Sequence, residues 1–204
     1  MPPLVHPFPK DYVYDLECYP NFFSATFKNS STGEWWAYEI SEWKNQGKEL
    51  HHFLMTLVHY QARLVGYNNL KYDYPMLHLI IEMNGLIDHI TLYQKSQAII
   101  SDWGGRAHSV WENKHYLRQM DLMAIHHFDN KAKMTSLKIL EFNMCSKNII
   151  ELPYDPNFSV TRAEADHLLS YNKHDVSETE MFYFYTFEQI KFREELHAVF
   201  GKSV

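Results

Sequence analysis

Asp15 and Glu17 stand two residues apart in the stretch Asp11-Tyr12-Val13-Tyr14-Asp15-Leu16-Glu17. A strand turns alternate side chains to one face, so an extended segment here projects both carboxylates from the same side. Such a pair repels itself unless a cation sits between the groups, and hard divalent ions such as Mg²⁺ and Mn²⁺ take oxygen ligands of this kind. Asp-x-Glu alone is common, and its simpler reading is a polar strand end facing water. A second cluster runs Gly66-Tyr67-Asn68-Asn69-Leu70-Lys71-Tyr72-Asp73-Tyr74-Pro75. It lies between an expected strand and an expected helix, at the sheet edge where α/β sites form. Asp73 falls just ahead of the helix that holds Pro75, where an Asp is equally a cap that stabilises by about 1 kcal/mol. The third cluster is Tyr171-Asn172-Lys173-His174-Asp175. Residues four apart on a helix share a face, so Tyr171 and Asp175 stand together. Each cluster is weak by itself; the ordered set is not.

The elements that must position these groups follow from periodicity. Strand-like patterns cover residues 11–16, 22–28 and 35–40, with Asn29-Ser30-Ser31-Thr32-Gly33 as the turn between the last two. Leu50, Phe53, Leu54, Leu57 and Val58 recur at helical spacing, which predicts an amphipathic helix over 48–61. A short strand at 63–67 precedes a helix whose first turn takes Pro75, where proline is tolerated. A helix over 90–100, a loop at 102–105 and a strand over 116–121 come next. Thr161-Arg162-Ala163-Glu164 matches a capping box and starts a helix through Tyr171 and Asp175, and an aromatic helical region over 177–200 closes the chain. This order predicts an α/β domain with a mixed sheet flanked by helices, a single domain over residues 1–204.

The chain has 204 residues, 46% of them hydrophobic and 22% charged, enough for one sizeable core. A formal net charge of −6 argues against a wide basic face that grips duplex nucleic acid. It suits an enzyme that meets phosphate through metal ions, because acidic ligands lower the charge. Only Cys18 and Cys145 occur, too few for a disulfide framework or zinc ribbon, so a reduced, cytoplasmic setting is expected. The start Met1-Pro2-Pro3-Leu4-Val5-His6-Pro7 lacks the pattern of a signal peptide, and no apolar run reaches the roughly 20 residues that span a bilayer, so no membrane partner is expected.

Taken together, the clusters resemble the DEDDy-type proofreading exonucleases of the DnaQ-like superfamily, whose fold is RNase H-like. Asp15 and Glu17 look like the first motif, Asp73 with Asn68 or Asn69 upstream and Tyr72 beside it like the second, and Tyr171 with Asp175 like the third. The related histidine branch carries its His one residue before the tyrosine position, where this chain has Ser170. Gly66-Tyr67-Asn68 followed by Tyr72-Asp73-Tyr74-Pro75 is similar to family B polymerases, whereas Asn69-Leu70-Lys71-Tyr72-Asp73 is similar to bacterial family A exonuclease domains. Leu152-Pro153-Tyr154-Asp155 ahead of the Thr161 helix resembles bacteriophage proofreading domains, which favours a phage enzyme working in the infected cell's cytoplasm. The choice between families A and B stays open.

The resemblance implies 3′→5′ hydrolysis of single-stranded DNA by two divalent ions, Mg²⁺ or Mn²⁺, with release of nucleoside 5′-monophosphates. In that scheme Asp15 bridges both ions, Glu17 and Asp175 hold the ion that generates hydroxide, and Asp73 acts mainly through waters of the second. Tyr171 orients the attacking water, since a phenol with an ordinary pKa near 10 is a poor base at neutral pH. Leu16, Phe22, Asn68, Asn69 and Tyr72 are the candidates for holding the 3′-terminal nucleotides, with one of Phe22 and Phe23 and Tyr72 on the bases or sugars and an Asn on the backbone. Phe as sheet core is an equal reading. A DNA polymerase domain, in cis or in trans, is the implied partner.

Other signals carry less. His51-His52, His126-His127 and His115 lack the spacing of a zinc site, Gly104-Gly105-Arg106 is a turn with a basic tip, and Tyr183-Phe184-Tyr185 fits core or interface. Two alternatives remain: an RNA 3′ exonuclease similar to the RNase D group, and a retained but inactive exonuclease scaffold. The motifs do not separate DNA from RNA, because the metals address the phosphate.

Overall fold

The alternation along Asp11–Tyr19 decides the architecture. Tyr14, Leu16 and Cys18 join one apolar cluster, whereas Val13 and Tyr19 join two others on the opposite face. This strand is therefore covered on both sides. The computed structural model describes residues 10–102, 107–126 and 135–201. In chain order it forms β1 (Asp11–Tyr19), β2 (Phe22–Asn29), β3 (Trp35–Ser41), α1 (Gly47–His59), β4 (Arg63–Gly66), α2 (Asp73–Glu82), α3 (His89–Ser101), β5 (Arg118–Asp121), α4 (Leu122–His126), α5 (Leu137–Asn143), α6 (Arg162–Tyr185) and α7 (Phe187–Phe200). The five strands make one mixed sheet in the order β3-β2-β1-β4-β5. β1 to β3 form an antiparallel meander, and β4 and β5 add parallel to β1.

One face of the sheet packs on α1 and α2 through Leu50, Leu54, Leu77 and Ile80, positions on the apolar faces expected from the sequence, and on α3 through Leu92. The other face receives α6 and α7. Val13, Val65 and Met120 meet Val176, Phe182 and Tyr183 at one end, and Tyr19 and Phe22 meet Ala165 and Leu168 at the other. Asp11, at the start of β1, is buried and accepts hydrogen bonds from Arg63 Nε at 2.9 Å, Arg63 Nη2 at 2.6 Å and the Tyr183 hydroxyl at 2.6 Å. That network ties β1, β4 and α6 together below the site. Among the described residues no helix is long and apolar enough to cross a membrane.

Two expectations change. The helix opening at Thr161 does not end near Asp175; it runs unbroken to Tyr185, and α7 begins only after Thr186. Ser177 satisfies its hydroxyl on the Lys173 carbonyl at 3.0 Å, so its polarity does not end the helix, and the buried stripe continues through Thr179 and Phe182. The Thr161 capping box is present as expected. The strand expected over 116–121 begins only at Arg118, because the Tyr116 N–H is taken by the Tyr74 hydroxyl at 2.9 Å. Short helices α4 and α5 have no strong periodicity and were not expected. Gly104-Gly105-Arg106 and His127 lie outside the described residues.

Gly66 ends β4 where the chain must turn sharply. A Cβ there would lie 2.7 Å from the Cβ of Asn69 and 3.3 Å from the Tyr14 ring. Gly66→Ala is expected to destabilise the protein by about 1–3 kcal/mol, the usual cost of overpacking. A urea midpoint unchanged by the substitution would show that the turn can shift without loss.

Candidate metal centre

Val13, Asp15, Glu17 and Tyr19 occupy the face of β1 that meets α6, with apolar residues at both ends of the row. The buried stripe on α6 has the same composition: Leu168, then Tyr171, Asn172 and Asp175, then Val176. The polar residues of strand and helix fall at the same level, and the apolar residues above and below bound a small polar chamber that stays partly open at Asp15 and Glu17. Within it, oxygens of Asp15, Glu17 and Asp175 all lie within 4.8 Å of one another. The sequence-predicted Asp15, Glu17, Tyr171 and Asp175 are thereby brought together.

Asp73 enters from the next element. The pairing of β1 with β4 ends at Val13 and Val65, so the following part of β1 has an open edge on that side. Asp73, first residue of α2, lies there beside the Leu16 backbone. It does not act as a side-chain cap in the usual way: the residue before α2, Tyr72, makes no cap bond. Asp73 is the outer member of the set, acting on Asp15 and Glu17 through its charge.

Burial and crowding govern the electrostatics. Burial first, then the neighbouring Asp73, Asp175 and Glu17 carboxylates, push the Asp15 pKa well above its ordinary value. Glu17 is raised in the same way, by burial and then by Asp175 and Asp73. Burial drives Asp73 up to about 8 against the hydrogen bonds that favour its charged form. Asp175 is also raised by burial, with Lys138 and the Tyr171 hydroxyl holding it back. Such a group of carboxylates keeps protons or acquires a cation. The donor set is all oxygen and closely spaced, which fits a hard divalent ion.

Three residues that sequence reasoning missed complete the chamber. Lys138 on α5 donates to Asp175 Oδ1 at 2.6 Å and to Glu141 Oε1 at 3.0 Å, with its ammonium 4.9 Å from the centre of the Tyr171 ring. Burial opposes the charge of Lys138, but those carboxylates overcome it and raise the pKa. Asn172, fully buried, donates to Asp15 Oδ2 at 2.7 Å and aims that carboxylate. Asp121, at the end of β5, accepts from the backbone N–H groups of Asn68 at 2.9 Å, Leu70 at 3.3 Å, Met123 at 3.0 Å and Ala124 at 3.2 Å. It braces the turn that delivers Asp73. Asn172 lay inside the third motif and Asp121 ended an expected strand, so both had a faint signal. Lys138 had none.

The expected nucleotide contacts are redistributed. Phe22 is fully buried among Tyr19, Val160, Ala165 and Leu168, and Phe23 is fully buried on the opposite face of the sheet. β2 lies between β1 and β3 with helices on both sides, so neither ring offers a face to a strand of nucleic acid. The Leu16 side chain is core; only its backbone faces the site. Asn69 is buried, its amide donating to the Tyr14 hydroxyl at 3.2 Å and Gln119 Oε1 at 3.0 Å, which makes it a brace of the turn. Asn68, half-buried at φ 60°, and Tyr72, half-buried with its hydroxyl 2.6 Å from Ser96 Oγ, remain accessible. Left-handed backbone of this kind favours Asn among residues that carry a Cβ. Of the discounted aromatics, Tyr183 is core and Tyr185 is exposed.

No family model and no characterised protein matches the chain.

Asp73 holds its proton up to about pH 8, against an ordinary value of 3.8. The folded state therefore binds more protons than the unfolded chain between those values. This contribution to stability is fully present below the unfolded pKa and is lost as pH rises through the folded one. In EDTA the melting temperature is expected to fall between about pH 5 and about pH 9, and Asp73→Asn to flatten that slope. Mn²⁺ at a hundredfold its Kd should add about 2.7 kcal/mol, with affinity rising with pH as ligands lose protons. A melting temperature insensitive to both pH and Mn²⁺ would count against a crowded carboxylate site.

Proposed function

We propose that the chain is a metal-dependent 3′→5′ exonuclease of RNase H-like type, which removes nucleoside 5′-monophosphates from the 3′ end of single-stranded DNA. The observation that carries this reading is the convergence of Asp15, Glu17 and Asp175 within 4.8 Å, with Asp73 alongside and Tyr171 on the same buried face of α6 as Asp175. The mixed five-stranded sheet flanked by helices is compatible with that fold. Divalent ions, two of Mg²⁺ or Mn²⁺ in this scheme, would supply activated water and stabilise the leaving oxygen.

The chain's own residues account for the remaining requirements. Asp15, aimed by Asn172, and Glu17 and Asp175 provide the oxygens that hold an ion against the phosphate. Asp73, beside the Leu16 backbone, extends the set towards the second ion. Tyr171 has a pKa raised by burial and then by Asp175 and Glu17, so it is no base; its hydroxyl stays protonated and orients water. Lys138 places a positive charge where the phosphate gains negative charge during attack. A water oxygen bonds to phosphorus, the bond from phosphorus to the 3′ oxygen of the preceding nucleotide breaks, and that oxygen takes a proton. Tyr72 and Asn68 are the residues left to hold the terminal nucleotide. A paired end must first melt, so unpaired ends are preferred. Proofreading beside a DNA polymerase domain, as in phage replication in a host cytoplasm, is the setting that suits this chemistry.

The test uses 5′-labelled single-stranded DNA and a matched RNA, each with Mn²⁺ or EDTA. A ladder shortening from the 3′ end of DNA, metal-dependent and reduced about a thousandfold or more by Asp15→Ala, is expected from the loss of several kcal/mol of charge stabilisation. Lys138→Met should lower kcat by about 100-fold, as for other preorganised donors. Preference for RNA would move the substrate class and keep the chemistry. No cleavage of either by folded, metal-loaded protein would sink the reading.

A further inference from the structure

A second group of donors lies behind the chamber, on the side of α5. Glu141 of α5 and His174 and Asp175 of α6 bring ligand atoms within 4.8 Å of one another. Glu141 is completely buried. Its Oε1 is bonded to Lys138, but its Oε2 has no hydrogen-bond partner, and neither has the buried Nε2 of His174. These two atoms face each other at 3.6 Å, too far for a hydrogen bond. Ligands about 2.0–2.1 Å from a tetrahedral ion stand about 3.3–3.4 Å apart, so the gap suits an ion better than a direct contact.

We propose that Glu141, His174 and Asp175 form a second metal site, selective for Zn²⁺-type transition ions, that competes with Lys138 for Asp175. The selectivity follows from the donors. Imidazole with carboxylates suits Zn²⁺ and its neighbours, whereas the all-oxygen set of Asp15, Glu17 and Asp175 suits Mg²⁺ and Mn²⁺. Three protein ligands leave a fourth position for water. Lys138 already draws on Glu141 Oε1 at 3.0 Å and Asp175 Oδ1 at 2.6 Å. A divalent ion bound by the same two carboxylates repels the ammonium and drives it out. Zn²⁺ here removes a cation from the chamber and pulls on a carboxylate that the Asp15 site needs, so it inhibits. That inhibition rests on the nuclease reading; the binding itself does not.

The test follows visible absorption of Co²⁺, standing in for Zn²⁺, on the full chain with excess Mg²⁺. One Co²⁺ per chain is expected, displaced by Zn²⁺. His174→Gln should weaken it by more than the roughly 10- to 100-fold that follows loss of an outer-shell partner. Asp15→Asn should retain it. His174 is partly exposed on a long helix, so its replacement leaves the fold intact by circular dichroism. Glu141→Gln provides the second variant. Co²⁺ binding unmoved by His174→Gln, or lost with Asp15→Asn, would place the ion at the other site and overturn the proposal. Co²⁺ binding that depends on His174 in a protein without nuclease activity would keep this site and remove only the functional reading.

Discussion

Carboxylates crowded away from water are the constraint on which this structure turns. Asp15, Glu17, Asp73 and Asp175 each lose solvation, and Asp15 and Glu17 also suffer from their neighbours' charges, so all four hold protons more tightly than usual. Nothing about a stable core requires such an arrangement. The surrounding fold is organised to tolerate it: Lys138 supplies positive charge, Asn172 supplies a hydrogen bond to Asp15, and apolar residues of β1 and α6 flank the ends.

Positioning depends on where pairing stops. β1 is flanked by β2 along its length but by β4 only up to Val13, and the open edge beyond is the place where Asp73 can reach the strand. The turn that brings Asp73 there is held by contacts outside the cluster itself: Gly66 against Asn69, Asn69 on Tyr14 and Gln119, and Asp121 on the backbone of Asn68 and Leu70. This explains why two asparagines that look alike in the sequence have different roles. Asn69 is part of the turn's interior, and Asn68 stays at the surface.

Nearly all long elements were legible in the sequence, because amphipathic spacing over ten or more residues reports the face that must be buried. The exceptions are instructive. α6 has its polar site residues in the middle of its buried face, so its apolar stripe is interrupted there and the helix reads as two. α5 spans only seven residues and carries the lysine that balances the site, too short a run for periodicity to show. Phe22 and Phe23 looked available because a strand alternates, but helices cover both faces of β2, and alternation then distinguishes two cores instead of core and surface.

The sequence by itself determined the chemical set: Asp15 and Glu17 share a strand face and Tyr171 and Asp175 a helix face, because the periods of strand and helix leave no other choice. It likewise determined the meander, the capped start of α6 and the helix that follows Asp73. Only the tertiary structure decided that these faces meet at one level, that Asn172 aims Asp15, and that Lys138 and Glu141 arrive from a distant short helix. The physical reason is range. Local geometry is set by neighbouring residues, whereas the contact between residues 138 and 175, 37 positions apart, exists only once the apolar faces of separate elements have packed.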